Sequence, residues 1–245
     1  EMLAGRIPLW NPYTYGGHPF LADTQAAVFY PLNLLMIGIG LPFEGMFATP
    51  VAGRLYFLQL EAIVHVLLAA VFTYLLVTDL TNRAAAGLLA AITFAFSGYL
   101  TSYPPLQLAV LRTVIWLPLI LLFLRRGVEE PSRFGWWIGL VLAATSAFLA
   151  GHPQSMLHIG YVAAAWTLLL LAQTWSARSS ARKSAELDYV ADVSPQPRTA
   201  MAILGLALSA IAIVGLSAIQ LLPSLEFTRL SVRADASYDL SLIHI

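Results

Sequence analysis

The chain alternates long apolar runs with short polar connections, and the lengths of these runs predict where it crosses a membrane. A hydrocarbon core about 30 Å thick needs about 20 apolar residues per helix. Six runs have roughly this length, at residues 55–79, 84–102, 107–124, 134–151, 156–175 and 200–222. A seventh apolar run, residues 30–42, contains two prolines and two glycines, which leave about 10 helical residues. This run is too short to span, so we expect an interfacial or re-entrant helix there.

The composition agrees with this pattern. Hydrophobic residues make up 59% of the chain and charged residues 11%, with a mean hydropathy of +0.76. These values predict an all-α polytopic membrane protein with the lipid bilayer as a partner, and we expect no nucleic acid partner. The predicted organisation is an external loop with a short helix (residues 1–53), a transmembrane bundle (54–223) and the start of a further external segment (224–245).

The distribution of Lys and Arg predicts the orientation, because these residues accumulate in cytoplasmic loops. One side of the six-helix arrangement holds Arg83, Arg125, Arg126, Arg133, Arg178, Arg182, Lys183 and Arg198. The other side holds Arg6, Arg54, Arg229 and Arg233. We therefore expect the first side to be cytoplasmic, including a flexible polar linker at residues 176–198 that carries two prolines.

On this orientation the aromatic loop, residues 8–20, faces outward. Its three prolines fix φ, and its Gly16-Gly17 pair permits tight turns, which together define one loop shape. Trp10 and Tyr13 also suit an interfacial aromatic belt, which any membrane protein can have. The pattern favours a functional loop, a roof over a site at the membrane surface, over a belt.

Four ionisable residues fall within the apolar runs, namely Glu61, His65, Arg112 and His158. Counting at about 1.5 Å per residue places all four in the outer half of the membrane. Such groups are costly in hydrocarbon unless they are paired or face water, so we expect an outward-facing polar chamber. Alternatives stay open: Glu61 and His65 are four residues apart and suit a buried pair, Arg112 suits a membrane anchor as well as a phosphate ligand, and His158 suits a packed core position.

Asp23 is the best-placed carboxylate of the external side. It follows the aromatic loop by three residues and precedes the short apolar run. A carboxylate at this boundary can take a proton from an acceptor hydroxyl as a general base. Asp is also a good helix N-cap, and on the sequence alone the capping role is favoured.

Several blocks of the chain combine Pro, Gly and aromatic residues in distinctive motifs. These blocks are Gly5-Arg6-Ile7-Pro8-Leu9-Trp10-Asn11-Pro12-Tyr13, Gly17-His18-Pro19-Phe20, Phe29-Tyr30-Pro31-Leu32-Asn33-Leu34-Leu35, Phe94-Ala95-Phe96-Ser97-Gly98-Tyr99, Trp116-Leu117-Pro118-Leu119 and Ala150-Gly151-His152-Pro153-Gln154. They run from the start of the chain to the sixth apolar segment, and together they resemble the YfhO family of bacterial membrane proteins.

The resemblance implies a relative of the C-type glycosyltransferases, which take a sugar from a polyprenyl-phosphate carrier on the outer membrane face. It implies a cell-envelope acceptor and a location in the bacterial cytoplasmic membrane, with several passes and the N-terminal loop outside. The family usually has a helix and an acidic residue ahead of the Trp-Asn-Pro block, so we expect this chain to be a fragment whose main catalytic acid lies upstream. Asp23 is then a secondary catalytic candidate.

The residues suggest how such a substrate would be bound. A donor phosphate needs a cation at headgroup level, supplied by Arg54 or Arg112, and its tail needs an apolar groove. The candidate substrate-binding residues are Trp10, Asn11, Tyr13, His18, Arg54, Glu61, His65, Arg112, His152 and Gln154.

The alternative function is a transporter or flippase for a lipid-linked or anionic solute, with the ionisable residues lining its path. A path must continue across the membrane, yet polar residues thin out in the inner half and no inverted repeat is evident. We therefore rank transport second. No cofactor is indicated; the sequence has no recognisable metal motif, and a divalent metal stays an open alternative.

Overall fold

The computed structural model describes residues 9–14, 16–47, 49–102, 107–187 and 198–230. Their helices are α1 (Pro31–Gly40), α2 (Pro50–Thr81), α3 (Ala84–Ala95), α4 (Gly98–Thr101), α5 (Leu108–Val114), α6 (Leu117–Glu129), α7 (Phe134–Leu149), α8 (Pro153–Leu187) and α9 (Arg198–Arg229). Two short strands, β1 (Trp10–Asn11) and β2 (His18–Pro19), and 3-10 turns at Phe20–Ala22, Thr24–Ala26 and Leu41–Met46 complete the elements. The all-α membrane class is confirmed.

Four stretches within the described residues are long and apolar enough to cross a membrane. They are Leu55–Thr81, Leu108–Glu129, Pro153–Ser176 and Thr199–Arg229, the second formed by α5 and α6 together. The predicted segments 84–102 and 134–151 contain the shorter apolar helices α3, of 12 residues, and α7, of 16 residues. At about 1.5 Å per residue these two helices measure about 18 and 24 Å, less than a typical hydrocarbon core.

The predicted segment 84–102 is interrupted in its second half. The backbone leaves the α-helix at Phe96, and the Ser97 hydroxyl then accepts a hydrogen bond from the Leu100 N–H (3.3 Å), which caps α4. Ser is a preferred N-cap because its oxygen satisfies an otherwise unpaired N–H of the first turn. A hydroxyl residue inside an apolar run thus starts a new helix.

The predicted flexible linker at residues 176–198 is wrong in its first half, because α8 continues to Leu187. The sequence from Ala177 to Leu187 is rich in Ala, Arg, Lys and Glu, which favour helices, and contains no Gly or Pro. The two prolines of the linker, Pro195 and Pro197, lie outside the described residues. Polarity alone therefore did not end the helix.

The short helix predicted within residues 30–42 is present as α1, with 10 residues. Pro31 occupies its first position, where a missing N–H costs nothing. After α1 the chain makes the 3-10 turn at Leu41–Met46 and enters α2, whose first turn is capped by the Thr49 hydroxyl. The predicted bundle boundaries at 54 and 223 therefore fall inside α2 and α9 rather than at their ends.

Helices α6, α7 and α9 pack around Trp137, a residue of α7. A Cβ added at Gly205 of α9 would lie 2.3 Å from the Trp137 ring, and one at Gly127 of α6 would lie 2.9 Å from it. The indole N–H donates to the Pro131 carbonyl (3.0 Å), so its polar atom is satisfied. Small residues at these two positions let the helices approach closely around a buried aromatic side chain.

The bundle has two chemically different ends. At one, which we call the loop end, the segment around Leu21 and Thr24 lies against the bundle. Gln220 of α9 donates to the Leu21 carbonyl (2.7 Å), and Gly151, in the turn between α7 and α8, contacts Thr24. At the other, the arginine end, Asp79 of α2 pairs with Arg125 and Arg126 of α6. The loop end gathers the described part of the aromatic loop, the turn around Gly151 and the last turns of α9, where the Ser224 hydroxyl donates to the Ala22 carbonyl (3.0 Å).

Candidate functional site

The aromatic loop folds as a small hairpin. Strands β1 and β2 pair antiparallel, with Trp10 opposite Pro19 and Asn11 opposite His18. Gly16 and Gly17 adopt positive φ values of 75° and 103°, which favour glycine. A Cβ at Gly17 would lie 2.7 Å from the Trp10 ring, so the indole covers this glycine. Sequence and structure agree that the glycine pair makes the turn.

A line of polar contacts crosses the hairpin and reaches Asp23. The Asn11 amide donates to the Thr14 hydroxyl (3.0 Å), and this hydroxyl lies 3.2 Å from Nδ1 of His18. Nε2 of His18 lies 3.6 Å from Oδ2 of Asp23. If Thr14 donates to Nδ1, the proton of the neutral imidazole is on Nε2 and points towards the carboxylate.

Asp23 also caps the 3-10 turn Thr24–Ala26. Its Oδ1 accepts a hydrogen bond from the Gln25 N–H (2.9 Å), the capping role that the sequence favoured. Its side chain is nevertheless 39% exposed. The capping bond uses Oδ1, whereas Oδ2 is the oxygen that lies beside His18.

Trp10 and Tyr13 present aromatic surface at the loop end. Trp10 is 56% exposed and Tyr13 is 92% exposed. Below them, Gly151 has a φ of 89°, and a Cβ there would lie 1.9 Å from the Thr24 carbonyl oxygen. The turn between α7 and α8 thus fits directly under the segment that carries Asp23.

Beneath the loop, Glu61 and Arg112 form a buried two-point ion pair. Nε and Nη2 of Arg112 donate to Oε1 and Oε2 of Glu61, each at 2.7 Å. The two residues are 2% and 6% exposed. The planar guanidinium matches the carboxylate in this arrangement, which ties α2 to α5.

A second buried network joins Tyr30, His65 and Trp116. Nδ1 of His65 lies 2.7 Å from the Glu61 carbonyl oxygen, which only accepts, so Nδ1 carries a proton. In the neutral imidazole Nε2 then accepts from the Tyr30 hydroxyl (2.8 Å), and this hydroxyl accepts from the Trp116 indole N–H (3.2 Å). Each polar atom of the network has a partner, and Tyr30 anchors the start of α1 to α2 and α6.

Burial sets the protonation of Tyr30, which lies ahead of the spanning segments. Loss of hydration disfavours the phenolate and raises the pKa of Tyr30 far above its usual range. The hydrogen bond from Trp116 opposes this shift but is the smaller effect. Tyr30 is therefore a neutral donor to His65 over the physiological pH range.

The expected open polar chamber is not what these residues form. Glu61 and His65 do not satisfy each other through their side chains: the carboxylate binds Arg112, 51 residues away, and the imidazole binds the Glu61 backbone. Arg112 is buried against Glu61 rather than extended to the headgroups as an anchor or a phosphate ligand. His158 is exposed on α8 rather than packed in the core.

The other predicted residues lie apart from this network. Nδ1 of His152 lies 2.7 Å from the Ser155 hydroxyl and accepts from the Ser155 N–H (3.2 Å), which caps α8. Burial lowers the pKa of His152, and the neighbouring His158 adds to this effect. Gln154 is exposed at the same helix start. Arg54 lies in the second turn of α2, and its side chain is outside the described part of the structure.

Sequence reasoning missed three partners. Tyr30 and Trp116 were noted only as parts of motifs, although an aromatic hydroxyl and an indole N–H next to apolar runs signal buried hydrogen bonds. Asp79 was overlooked as the partner of Arg125 and Arg126, whose side chains also pair with Glu129 (3.0 Å) and Glu130 (3.5 Å). The sequence did contain a signal for this pairing. Asp79 lies at the end of one predicted spanning helix, and Arg125 and Arg126 directly follow another that ends on the same side of the membrane.

No family model, no curated protein and no solved structure matches this chain. Among the described residues, no group of three or more His, Asp or Glu side chains is arranged to hold a metal ion. The site is therefore interpreted from its own geometry.

Proposed function

We propose that this protein is a bacterial membrane glycosyltransferase of the C type, related to the YfhO family. It would transfer a sugar from a polyprenyl-phosphate donor to a cell-envelope acceptor on the outer face of the cytoplasmic membrane. The observation that carries the proposal is the His18–Asp23 pair, held by a shaped aromatic hairpin above the loop end of a membrane bundle.

The pair supplies the chemistry that the transfer needs. An acceptor hydroxyl becomes nucleophilic when a carboxylate takes its proton, and the leaving phosphate departs as the glycosidic bond forms. The Asp23 side chain is partly exposed. The Gln25 N–H holds Oδ1, and His18 lies beside Oδ2, the oxygen that acts in this proposal. Asp23 is the general base in this proposal, rather than the secondary candidate that the family resemblance implies, because its carboxylate is held beside His18. His18 orients and polarises it.

The surroundings fit an amphiphilic donor. Exposed Trp10 and Tyr13 give flat surfaces on which a sugar ring can pack. A cavity of about 240 Å³ between α6, α7, α8 and α9 is lined almost entirely by apolar side chains, including Leu140, Ile159 and Ile213, and suits part of an isoprenoid tail. Since Arg112 is engaged by Glu61, we assign the donor phosphate to His152 at the start of α8.

The transporter or flippase alternative has less support. Its path was to be lined by Glu61, His65, Arg112 and His158. The first three are buried and bonded to protein groups, an arrangement that favours a structural role. The glycosyltransferase proposal needs none of them as a ligand.

The test is sugar transfer in membranes that carry the protein. Radiolabelled polyprenyl-phosphate sugars are supplied from the outer face, and Asp23→Asn is compared with Glu226→Gln, which alters another exposed carboxylate of the loop end. We expect Asp23→Asn to lower turnover by about 10²–10⁴-fold, the usual contribution of general base catalysis, with little change in Glu226→Gln.

The possible outcomes distinguish a wrong assignment of the general base from a wrong assignment of the enzyme activity. Full transfer by Asp23→Asn would reduce Asp23 to its capping role and move the base to another acid of the protein. Absence of donor consumption by folded wild-type protein, with each of the common polyprenyl-linked sugars and with Mg²⁺ present, would overturn the function itself.

A further inference from the structure

The side of α8 that carries His158 holds a feature that the proposed function does not use. A pocket of about 130 Å³ lies between α4, the α5–α6 segment and α8, lined by Tyr99, Val114, Leu117, Ser155, His158, Ile159 and Val162. Its lining combines two hydroxyls and an imidazole with a floor of aliphatic side chains. Such a lining suits an amphiphile better than a purely polar or purely apolar ligand.

His158 makes the pocket unusual for a surface that faces lipid. The surrounding face of α8 exposes Leu157 (54%) and Tyr161 (63%), as expected of a helix in contact with acyl chains. His158 is exposed on this face too, and no described residue forms a hydrogen bond or ion pair with it. An ionisable group in this setting is costly unless a polar partner meets it, so its environment calls for a ligand.

The depth of the pocket indicates which polar group meets it. His158 is five residues from the start of α8, about 8 Å along the axis, and α8 begins at the loop end. This depth corresponds to the boundary between headgroups and acyl chains. The phosphate and ester groups of bilayer lipids lie there.

The chemistry of the lining favours the phosphate. Tyr99 and His158 offer O–H and N–H donors, whereas Ser155 is engaged by His152 (2.7 Å). The described residues that line the pocket are donors and aliphatic side chains, which favours a phosphate over a cationic headgroup. Phosphate oxygens accept hydrogen bonds strongly, the more so from a protonated imidazole.

We infer that this pocket binds the phosphate of one phospholipid of the bilayer, with Tyr99 and His158 as donors and with the first acyl carbons on Val114, Leu117 and Val162. At about 130 Å³ the pocket is smaller than the usual small-molecule sites of about 300–1,000 Å³. It therefore holds only the phosphate of the lipid, while the acyl chains lie along α8. This lipid is a fixed component of the loop end, and its binding does not depend on the proposed transferase activity.

The test is lipid binding by the purified protein, measured by native mass spectrometry and by thermal unfolding in detergent. Phosphatidylglycerol, diacylglycerol with the same chains, and inorganic phosphate are added separately. We expect one tightly held phosphatidylglycerol and a matching rise in Tm, with binding weaker by about tenfold in His158→Leu and by several-fold in Tyr99→Phe, because each loses one hydrogen bond to a charged group.

Matched controls come from the same helix. Gln173→Leu removes another exposed polar side chain of α8, about 22 Å further along, and Tyr161→Phe removes an exposed hydroxyl that does not line the pocket. Both controls should bind phosphatidylglycerol like the wild type. The inference is overturned if His158→Leu keeps wild-type affinity, if diacylglycerol binds equally well, or if inorganic phosphate alone displaces the lipid at equal concentration.

Discussion

At the scale of single residues, the loop end is held together by buried polar side chains whose partners are distant in sequence. Local spacing rules pair Glu61 with His65, because residues four apart share a helix face. The structure pairs Glu61 with Arg112, since a guanidinium can meet both carboxylate oxygens at once. The pairing of Glu61 with Arg112 depends on which helices pack together. A spacing rule for a single helix does not contain that information.

The Glu61–Arg112 pair predicts a strongly non-additive mutant cycle. Removing one partner leaves a buried charge without compensation, which costs about 3–5 kcal/mol. We expect Arg112→Met alone to lower the free energy of unfolding by about this amount, and Glu61→Leu/Arg112→Met to recover much of the loss. Unfolding in detergent micelles measures the cycle; additive single effects would show that the two charges do not interact in the folded protein.

Tyr30 predicts an alkaline loss of stability. Its folded-state pKa is raised by burial above the usual phenol value of about 10, so the stability it contributes is complete below pH 10. Above pH 10 the unfolded chain loses the phenol proton first, and stability falls as pH rises towards the folded-state pKa.

Comparison of Tyr30→Phe with Tyr161→Phe isolates this effect. Tyr30→Phe should cost about 1–3 kcal/mol at neutral pH, because the Trp116 N–H and the Nε2 of His65 lose their partner. It should also show a shallower stability decline between pH 10 and 11 than the wild type. Tyr161→Phe leaves the Tyr30 hydrogen bonds intact, so this variant should keep the full alkaline decline; equal slopes for all three proteins would refute the assignment.

At the scale of elements, the sequence predicted where helices occur better than where they end. Long apolar runs gave α2, α8 and α9, because about 20 apolar residues have few alternatives to a spanning helix. Ends depend on caps: Ser97 divides one apolar run, whereas the polar residues after Ser176 continue α8. Polar residues indicate that a segment is exposed to water, but they do not end a helix. A helix end requires a residue that satisfies the unpaired backbone groups.

The contact between the α7–α8 turn and the Asp23 segment makes Gly151 a sensitive position. Gly151→Ala should lower the free energy of unfolding by about 2 kcal/mol or more, because the new Cβ meets both a positive φ and the Thr24 carbonyl oxygen. It should also increase protease cleavage of residues 9–30. Gly160→Ala is the control, since a Cβ there meets nothing within 4 Å and the change should stabilise α8 by up to about 1 kcal/mol.

Retention of wild-type stability by Gly151→Ala would mean that the loop moves without cost and is not fixed on the bundle. The proposed function would then lose its main structural support, because a general base must be held in place to act. A loss of stability together with a loss of sugar transfer would link the two.

At the scale of the whole molecule, the two ends of the bundle differ in a way that the sequence indicated only by counting charges. The loop end carries exposed aromatics and the His18–Asp23 pair, whereas the arginine end carries Arg125, Arg126 and Arg133, partly neutralised by acidic partners. Positive charges retained near helix ends favour the cytoplasmic side even when they are paired, since Asp and Glu contribute little to orientation. The proposed activity requires the loop end to be outside.

Cysteine labelling tests this orientation directly, because the sequence contains no cysteine of its own. Tyr13→Cys places a thiol at a 92% exposed position of the loop end, and Arg133→Cys places one at an exposed position of the arginine end. In intact cells a membrane-impermeant maleimide should label the first variant alone, and it should reach the second only after permeabilisation. The reverse pattern would put Asp23 in the cytoplasm, where a donor presented on the outer face cannot reach it, and would exclude the proposed reaction while leaving the lipid site on α8 untouched. Labelling of both variants in intact cells would instead contradict the placement of the loop end and the arginine end on opposite sides of the membrane.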